Sequence, residues 1–262
     1  MNLLIIGGDR RQEILTENLR NVGHGCLHIT TRSDLDTDFD DFDIIVLPYP
    51  TTKDGVTVNN TLSDEKILLA DIVKRTGLQK VLCGNYSFIN IESTDYAKSD
   101  ELTLLNAVPT AEGAIELAIK NTDFTIWQSN CLVIGNGKCG KILADRLEGL
   151  KANVTVSARK DADFAYIKAL GHKYIHTYEI EKYIGEFDII FNTVDSRVIG
   201  REALEKCKKD CLLIELASAP FGIDFSAAAE LGLKVIKAPG LPGKVSPKTA
   251  ADILTDTILK LI

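Results

Sequence analysis

"CLVIGNGKCGKILADRL", residues 131–147, sets glycines at 135, 137 and 140 between an apolar run and a helical pattern. Residues 131–134 read as a buried strand, and Ile142, Leu143, Leu147 and Leu150 recur on one helical face. Strand, tight turn and helix inside a βαβ unit make the Gly-x-Gly-x-x-Gly pattern a dinucleotide fingerprint. Its first glycine makes the turn, the second admits a pyrophosphate to the backbone, and the third lets helix and strand approach. Cofactor contacts are therefore expected from Gly135, Asn136, Gly137, Lys138, Cys139 and Gly140, with the positive end of the helix dipole turned to the phosphates.

The following strand, "NVTV" (153–156), should end beside the adenosine ribose, where an Asp or Glu marks NAD enzymes. Here the chain reads "SARK". Ser157, Arg159 and Lys160 offer a hydroxyl and two cations suited to a 2′-phosphate, so NADP is the expected cofactor. "FNTVDS" (191–196) and "LASAP" (216–220) end the fourth and fifth strands of this half, and place Thr193, Val194, Ala217 and Ser218 at the nicotinamide side.

The first half repeats the order. "LLII" (3–6) is followed by Gly7 and Gly8, then by apolar Ile14, Leu15, Leu19 and Val22 at helical spacing. "DFDIIVLP" (41–48) echoes "EFDIIFNT" (186–193), and "KVLCG" (80–84) echoes "CLLIELAS" (211–218). Near-continuous apolar strands alternating with helices indicate parallel sheets covered on both faces. The fold expected is α/β: two tandem doubly wound, Rossmann-like domains with a crevice between them. The boundaries expected are 1–107 for a substrate-side domain and 108–129 for a linking helix that starts at Pro109. Residues 130–245 follow as the NADP domain, and 246–262 as a last helix that packs back on the first domain.

Composition narrows the function classes. Hydrophobic residues at 45% and charged residues at 26% fit a folded chain, and a net charge of −7 without a Lys/Arg run argues against nucleic acid. The N-terminus lacks a secretory pattern and no apolar run reaches bilayer length, so a cytoplasmic protein without a membrane partner is expected. Six scattered cysteines show no metal-ligand spacing; they read as reduced thiols, and no metal is expected. Self-association is not legible in the sequence.

"GGDRRQ" (7–12) is not a dinucleotide fingerprint. Asp9, Arg10 and Arg11 nevertheless stand at a strand-to-helix turn, where a helix N-terminus and a guanidinium could grip a small anionic dicarboxylate. A solvated first turn is the equal alternative. The last histidine is His176, so a late catalytic histidine of the hydroxyacid dehydrogenase kind is missing.

"GGDRRQ", "NAVPTAEGAI" (106–115), "GNGKCG" (135–140) and "APGLPGKVSPKTAADIL" (238–254) together resemble the A subunits of dipicolinate synthase, in order along the chain. That resemblance implies an NADP-dependent oxidoreductase of sporulation. Its substrate would be a dihydrodipicolinate-type ring from 4-hydroxy-tetrahydrodipicolinate, and its partner a flavoprotein-like B subunit. It further implies substrate contacts from Arg10, Arg11, Thr110 and Lys244, with Glu112 or Asp9 as proton acceptor. "SAPFGIDF" (218–225) departs from the family pattern, with Ala219 and Phe221 where an Arg and a Gly-Gly pair are expected. An amino-acid or hydroxyacid dehydrogenase, or a non-catalytic NADP-binding subunit, would carry the same fingerprint.

Overall fold

The computed structural model describes residues 1–262. The chain forms β1 (Asn2–Ile6), α1 (Arg10–Asn21), β2 (Gly25–Ile29), β3 (Ile44–Val46), α2 (Leu69–Arg75), β4 (Lys80–Cys83), β5 (Ser93–Asp95) and α3 (Asp100–Asn121). There follow β6 (Asn130–Ile134), α4 (Lys138–Gly149), β7 (Asn153–Ala158), α5 (Asp161–Ala169), β8 (Lys173–His176), α6 (Ile180–Tyr183) and β9 (Ile189–Asn192). The remainder is α7 (Arg201–Leu204), β10 (Leu212–Glu215), α8 (Phe225–Glu230), β11 (Lys234–Lys237), α9 (Leu241–Val245) and α10 (Pro247–Leu259).

These elements build two α/β units, each around one sheet. Unit 1 comprises residues 1–106 and 242–262, and unit 2 comprises 107–241. The sheet of unit 1 has the order β2-β1-β3-β4-β5 and that of unit 2 the order β11-β10-β9-β6-β7-β8, with every pair parallel.

Successive strand side chains point to opposite faces, so a run apolar at every position serves a sheet buried on both. In β1, Leu4 and Ile6 join Ile45, Leu47 and Val81 on one side. Leu3 and Ile5 join Val46 and Leu82 on the other, together with Leu15 and Leu19 of α1 and Leu254 and Ile258 of α10. Asn18 of α1 seals that helix pair, donating to Asp252 Oδ1 at 2.9 Å and to Thr255 Oγ1 at 3.1 Å. In unit 2, Leu132, Ile134, Ile190 and Leu213 pack with Ile180, Ile184, Ile199 and Leu204.

Two boundaries differ from the sequence reading. The helix expected to start at Pro109 starts at Asp100, and Pro109 lies inside it. Ser99 stands at the start, its hydroxyl accepting from Leu102 N at 3.2 Å, and burial of the helix's alanines holds it continuous through Pro109. The helix ends at Asn121, and its alanines 107, 111, 114 and 118 are buried, which accounts for its long apolar character. Near the other end, the chain is already part of unit 1 at Pro242, four residues before the expected 246.

Candidate functional site

The six-stranded sheet, counted from β6, runs 3-2-1-4-5-6, and its order reverses between β6 and β9. Dinucleotides lie across the carboxyl ends of strands at such a switch point. The turn after β6 is built for close approach. Gly135 has φ +103°, and a Cβ there would sit 2.6 Å from Thr193 Oγ1. Gly140 packs its helix onto the turn, since a Cβ would lie 2.0 Å from Gly135 O. At Gly137 a Cβ would meet no protein atom within 4 Å, so the space in front of that residue is open. Gly137 is also the N-cap of α4, and no side chain caps the first turn. Its amides and dipole are thus available to a pyrophosphate, and the residues fit the cofactor that the fold implies.

Around this turn the expected cofactor residues divide. Arg159 and Lys160 follow β7 and are exposed, with Lys160 as the N-cap of α5. Asn136 donates from Nδ2 to Asp163 Oδ1 at 2.9 Å, which ties that acid of α5 to the fingerprint turn. Lys138 opens α4, and Cys139 follows it with its thiol pushed up to about 12 by burial, so it stays protonated at neutral pH. Thr193 Oγ1 donates to Ile134 O at 2.8 Å, beside Val194 and against Gly135. Ala217 is buried and Ser218 exposed in the loop after β10. Ser157, expected at the ribose, is fully buried at the end of β7, its hydroxyl 3.4 Å from that of Thr177. Because β7 is covered on both faces, the outward positions at its end fall to Arg159 and Lys160.

Sequence reading missed Asn192 and Glu215. Glu215 ends β10 fully buried and accepts from Asn192 Nδ2 at 2.6 Å, Ala217 N at 3.1 Å, Gly222 N at 2.9 Å and Ile223 N at 3.0 Å. A charged residue closing the apolar run "CLLIE" was the available signal. The departure from the family pattern falls in the same loop: Phe221 adopts φ +65°, the left-handed region that favours glycine. Lys237 Nζ lies 4.3 Å from the ring centres of both Phe221 and Phe225.

In unit 1 the strand order reverses between β1 and β3, and the Asp9 turn stands at that point. Asp9 is the N-cap of α1: it accepts from Arg11 N, while Gln12 accepts from the Asp9 amide, a reciprocal capping box. Arg11 Nε donates to Asp9 Oδ1 at 2.9 Å, and Arg11 Nη2 donates to Asp9 Oδ2 at 2.8 Å and to Tyr49 O at 2.7 Å. These bonds use Nε and Nη2 and leave Nη1. The Gly243 backbone lies against the pair, since a Cβ there would be 2.8 Å from Arg11 Nε and 2.9 Å from Asp9 Oδ2. Both oxygens of Asp9 accept from Arg11, so the carboxylate orients the guanidinium. Arg10 is turned to the surface, 2.9 Å from Glu13. Lys244 follows Gly243 in α9, while Thr110 and exposed Glu112 lie on α3 in unit 2.

A 3-2-1-4-5-6 parallel sheet with a glycine turn open at its second glycine defines a dinucleotide-binding domain of the dehydrogenase type, and implies a nicotinamide cofactor. Residues 2–107 match the family of N-terminal domains of the dipicolinate synthase A subunit, and residues 116–236 match the family "Shikimate / quinate 5-dehydrogenase". The A subunit of dipicolinate synthase of Bacillus subtilis (strain 168) is 34% identical over 284 residues, covering 100% of this chain and 96% of that protein. The crystal structure of the dipicolinate synthase A subunit from Bacillus halodurans superposes with a TM-score of 0.89 at 31% identity, covering 99% of this chain and 97% of that one. That of its Bacillus subtilis counterpart gives 0.86 at 30% identity, over 100% and 95%. The chain belongs to the family of dipicolinate synthase A subunits.

Proposed function

We propose that this protein is an NADP-dependent oxidoreductase that converts a dihydrodipicolinate-type ring, formed from 4-hydroxy-tetrahydrodipicolinate by loss of water, to dipicolinate. The carrying observation is the open space at Gly137 before an uncapped helix, with two exposed cations at the end of the neighbouring strand. The backbone of residues 135–140 holds the pyrophosphate, and Arg159 and Lys160 hold the 2′-phosphate. When bound, the nicotinamide supplies hydride acceptance. Oxidation removes one hydride and one proton from the ring, and the gain of aromaticity drives it, so orientation matters more than a strong base.

In unit 1 the guanidinium of Arg11, fixed by Asp9 and Tyr49 O, presents Nη1 to a ring carboxylate, and Lys244 adds a further polar contact. Glu112 is the proton acceptor of this scheme, because Asp9 is spent on Arg11. The relative's designation as an A subunit supports a partnering B subunit, and the work belongs to spore formation in the cytoplasm, where six free thiols are stable.

The test supplies NADP and dihydrodipicolinate generated in place, with and without a B subunit, and follows NADPH and pyridine absorbance. Growth of both signals together is expected. Nucleotide binding without turnover in either mixture would leave a non-catalytic NADP-binding subunit.

A further inference from the structure

We infer that Glu215 is the positioning residue for the nicotinamide side of the cofactor site, an inference that rests on the nucleotide reading above. With the pyrophosphate at Gly137 and the adenosine half at β7, the nicotinamide half falls to the loops after β9 and β10. Those two loops are joined by one side chain. Oε1 of Glu215 accepts from Asn192 Nδ2 and Ala217 N, and Oε2 accepts from Gly222 N and Ile223 N. Asn192, itself fully buried, donates to Val194 O at 2.8 Å and accepts from Val194 N at 3.3 Å, so the carboxylate also fixes the turn after β9.

The fit is tight. A Cβ on Gly222 would lie 2.3 Å from Asn192 Nδ2 and 2.9 Å from Val194 O. Between the anchored ends, Phe221 is held at φ +65° with its amide donating to Ser218 O at 3.1 Å. An apolar residue would serve a strand end that needed only packing, as in the preceding Leu212, Leu213 and Ile214 of β10. A buried carboxylate with every acceptor site directed at two loops instead specifies one loop conformation. Glutamine cannot replace it: in either orientation its NH2 faces two N–H donors.

The experiment measures the affinities of NADPH and of 2′,5′-ADP, which lacks the nicotinamide half, for the wild type, Glu215→Gln and Gly222→Ala, together with amide exchange over 216–223. We expect 2′,5′-ADP affinity within about twofold of wild type and NADPH affinity lowered about tenfold or more, with exchange protection lost in that loop alone. Equal losses for both ligands, or a loss for neither, would overturn the inference by reducing Glu215 to a stabilising residue. If Glu215→Gln does not fold, Gly222→Ala decides by the same ratio, because it strains the same pair while leaving the carboxylate in place. A wild type that binds neither nucleotide would instead sink the cofactor reading, and this inference with it.

Discussion

Both units turn from a first strand into a first helix through the same six positions, and they finish that turn differently. Gly135 aligns with Gly7, both at positive φ, and the N-cap Gly137 aligns with the N-cap Asp9. Gly140 aligns with Gln12. In unit 1 the Gln12 side chain folds back over the turn, so that a Cβ on Gly8 would lie 2.3 Å from its Oε1. Asp9 and Gln12 there consume the amides that unit 2 leaves open. One supersecondary unit thus becomes a self-capped helix or one with an open N-terminus, suited to an anion, according to what stands at the N-cap and N3 positions. Their sheets differ in parallel: the 2-1-3-4-5 order lacks a counterpart of β8, which lies beyond β7, the strand that Arg159 and Lys160 follow in unit 2.

The largest test of this contrast separates Gly140 of α4 from its N-cap Gly137. Gly140→Ala drives a Cβ into Gly135 O and should cost about 3 kcal/mol of stability in urea titration. Gly137→Ala meets no protein atom, so its melting temperature should stay near that of the wild type while NADPH binding falls at least about tenfold. Equal stability losses would mean that the turn is only a packing device. Next, Arg159→Asp should shift the ratio of NADP to NAD affinity about tenfold to hundredfold towards NAD, measured by nucleotide titration. An unchanged ratio removes the 2′-phosphate role.

A smaller effect probes unit 1. Arg11→Lys keeps the charge and loses the planar fork to Asp9, and should cost about 1.5 kcal/mol. It should weaken binding of the dicarboxylate while leaving NADPH affinity unchanged, and a change in both would contradict separate roles for the two turns. The smallest effect is one of pH. Burial lowers the pKa of His28, whose Nε2 is 2.8 Å from Gly7 O. The unfolded chain therefore binds a proton more readily than the folded one, so this contribution is present above about 6.5 and is lost as pH falls below it. Melting curves of wild type and His28→Gln should diverge less at pH 5.5 than at pH 7.5.

Strands and fingerprint were legible because burial on both faces demands unbroken apolar runs, and the tight turn demands glycine. Less legible was anything held by partners distant in sequence. Residues 48–68 are fastened without regular structure: Thr51 N donates to Gly84 O at 2.8 Å, and Asn59 N to Thr51 O at 2.7 Å. No local pattern announces such bonds. The sequence places the start of α3 at Pro109, a residue suited to a first turn, whereas the helix begins at Asp100 behind Ser99, and tertiary packing carries it through the proline. At the candidate sites the residue types were readable and their pairing was not. Asp9 and Arg11 form an ion pair two residues apart because the N-cap turns both side chains the same way. Ser157 faces inwards because β7 is covered on both sides.

The return of the chain to unit 1 at Pro242 affects synthesis. Unit 2 is contiguous and has every strand once residue 241 has emerged, whereas Asn18 must wait for Asp252 and Thr255, and Lys80 for the carbonyl of Leu261. On the ribosome the N-terminal half is therefore translated first and completed last, the reverse of the usual vectorial order. A nick or stop codon within the last twenty-one residues would injure the half of the protein made earliest, while leaving the nucleotide-binding half whole.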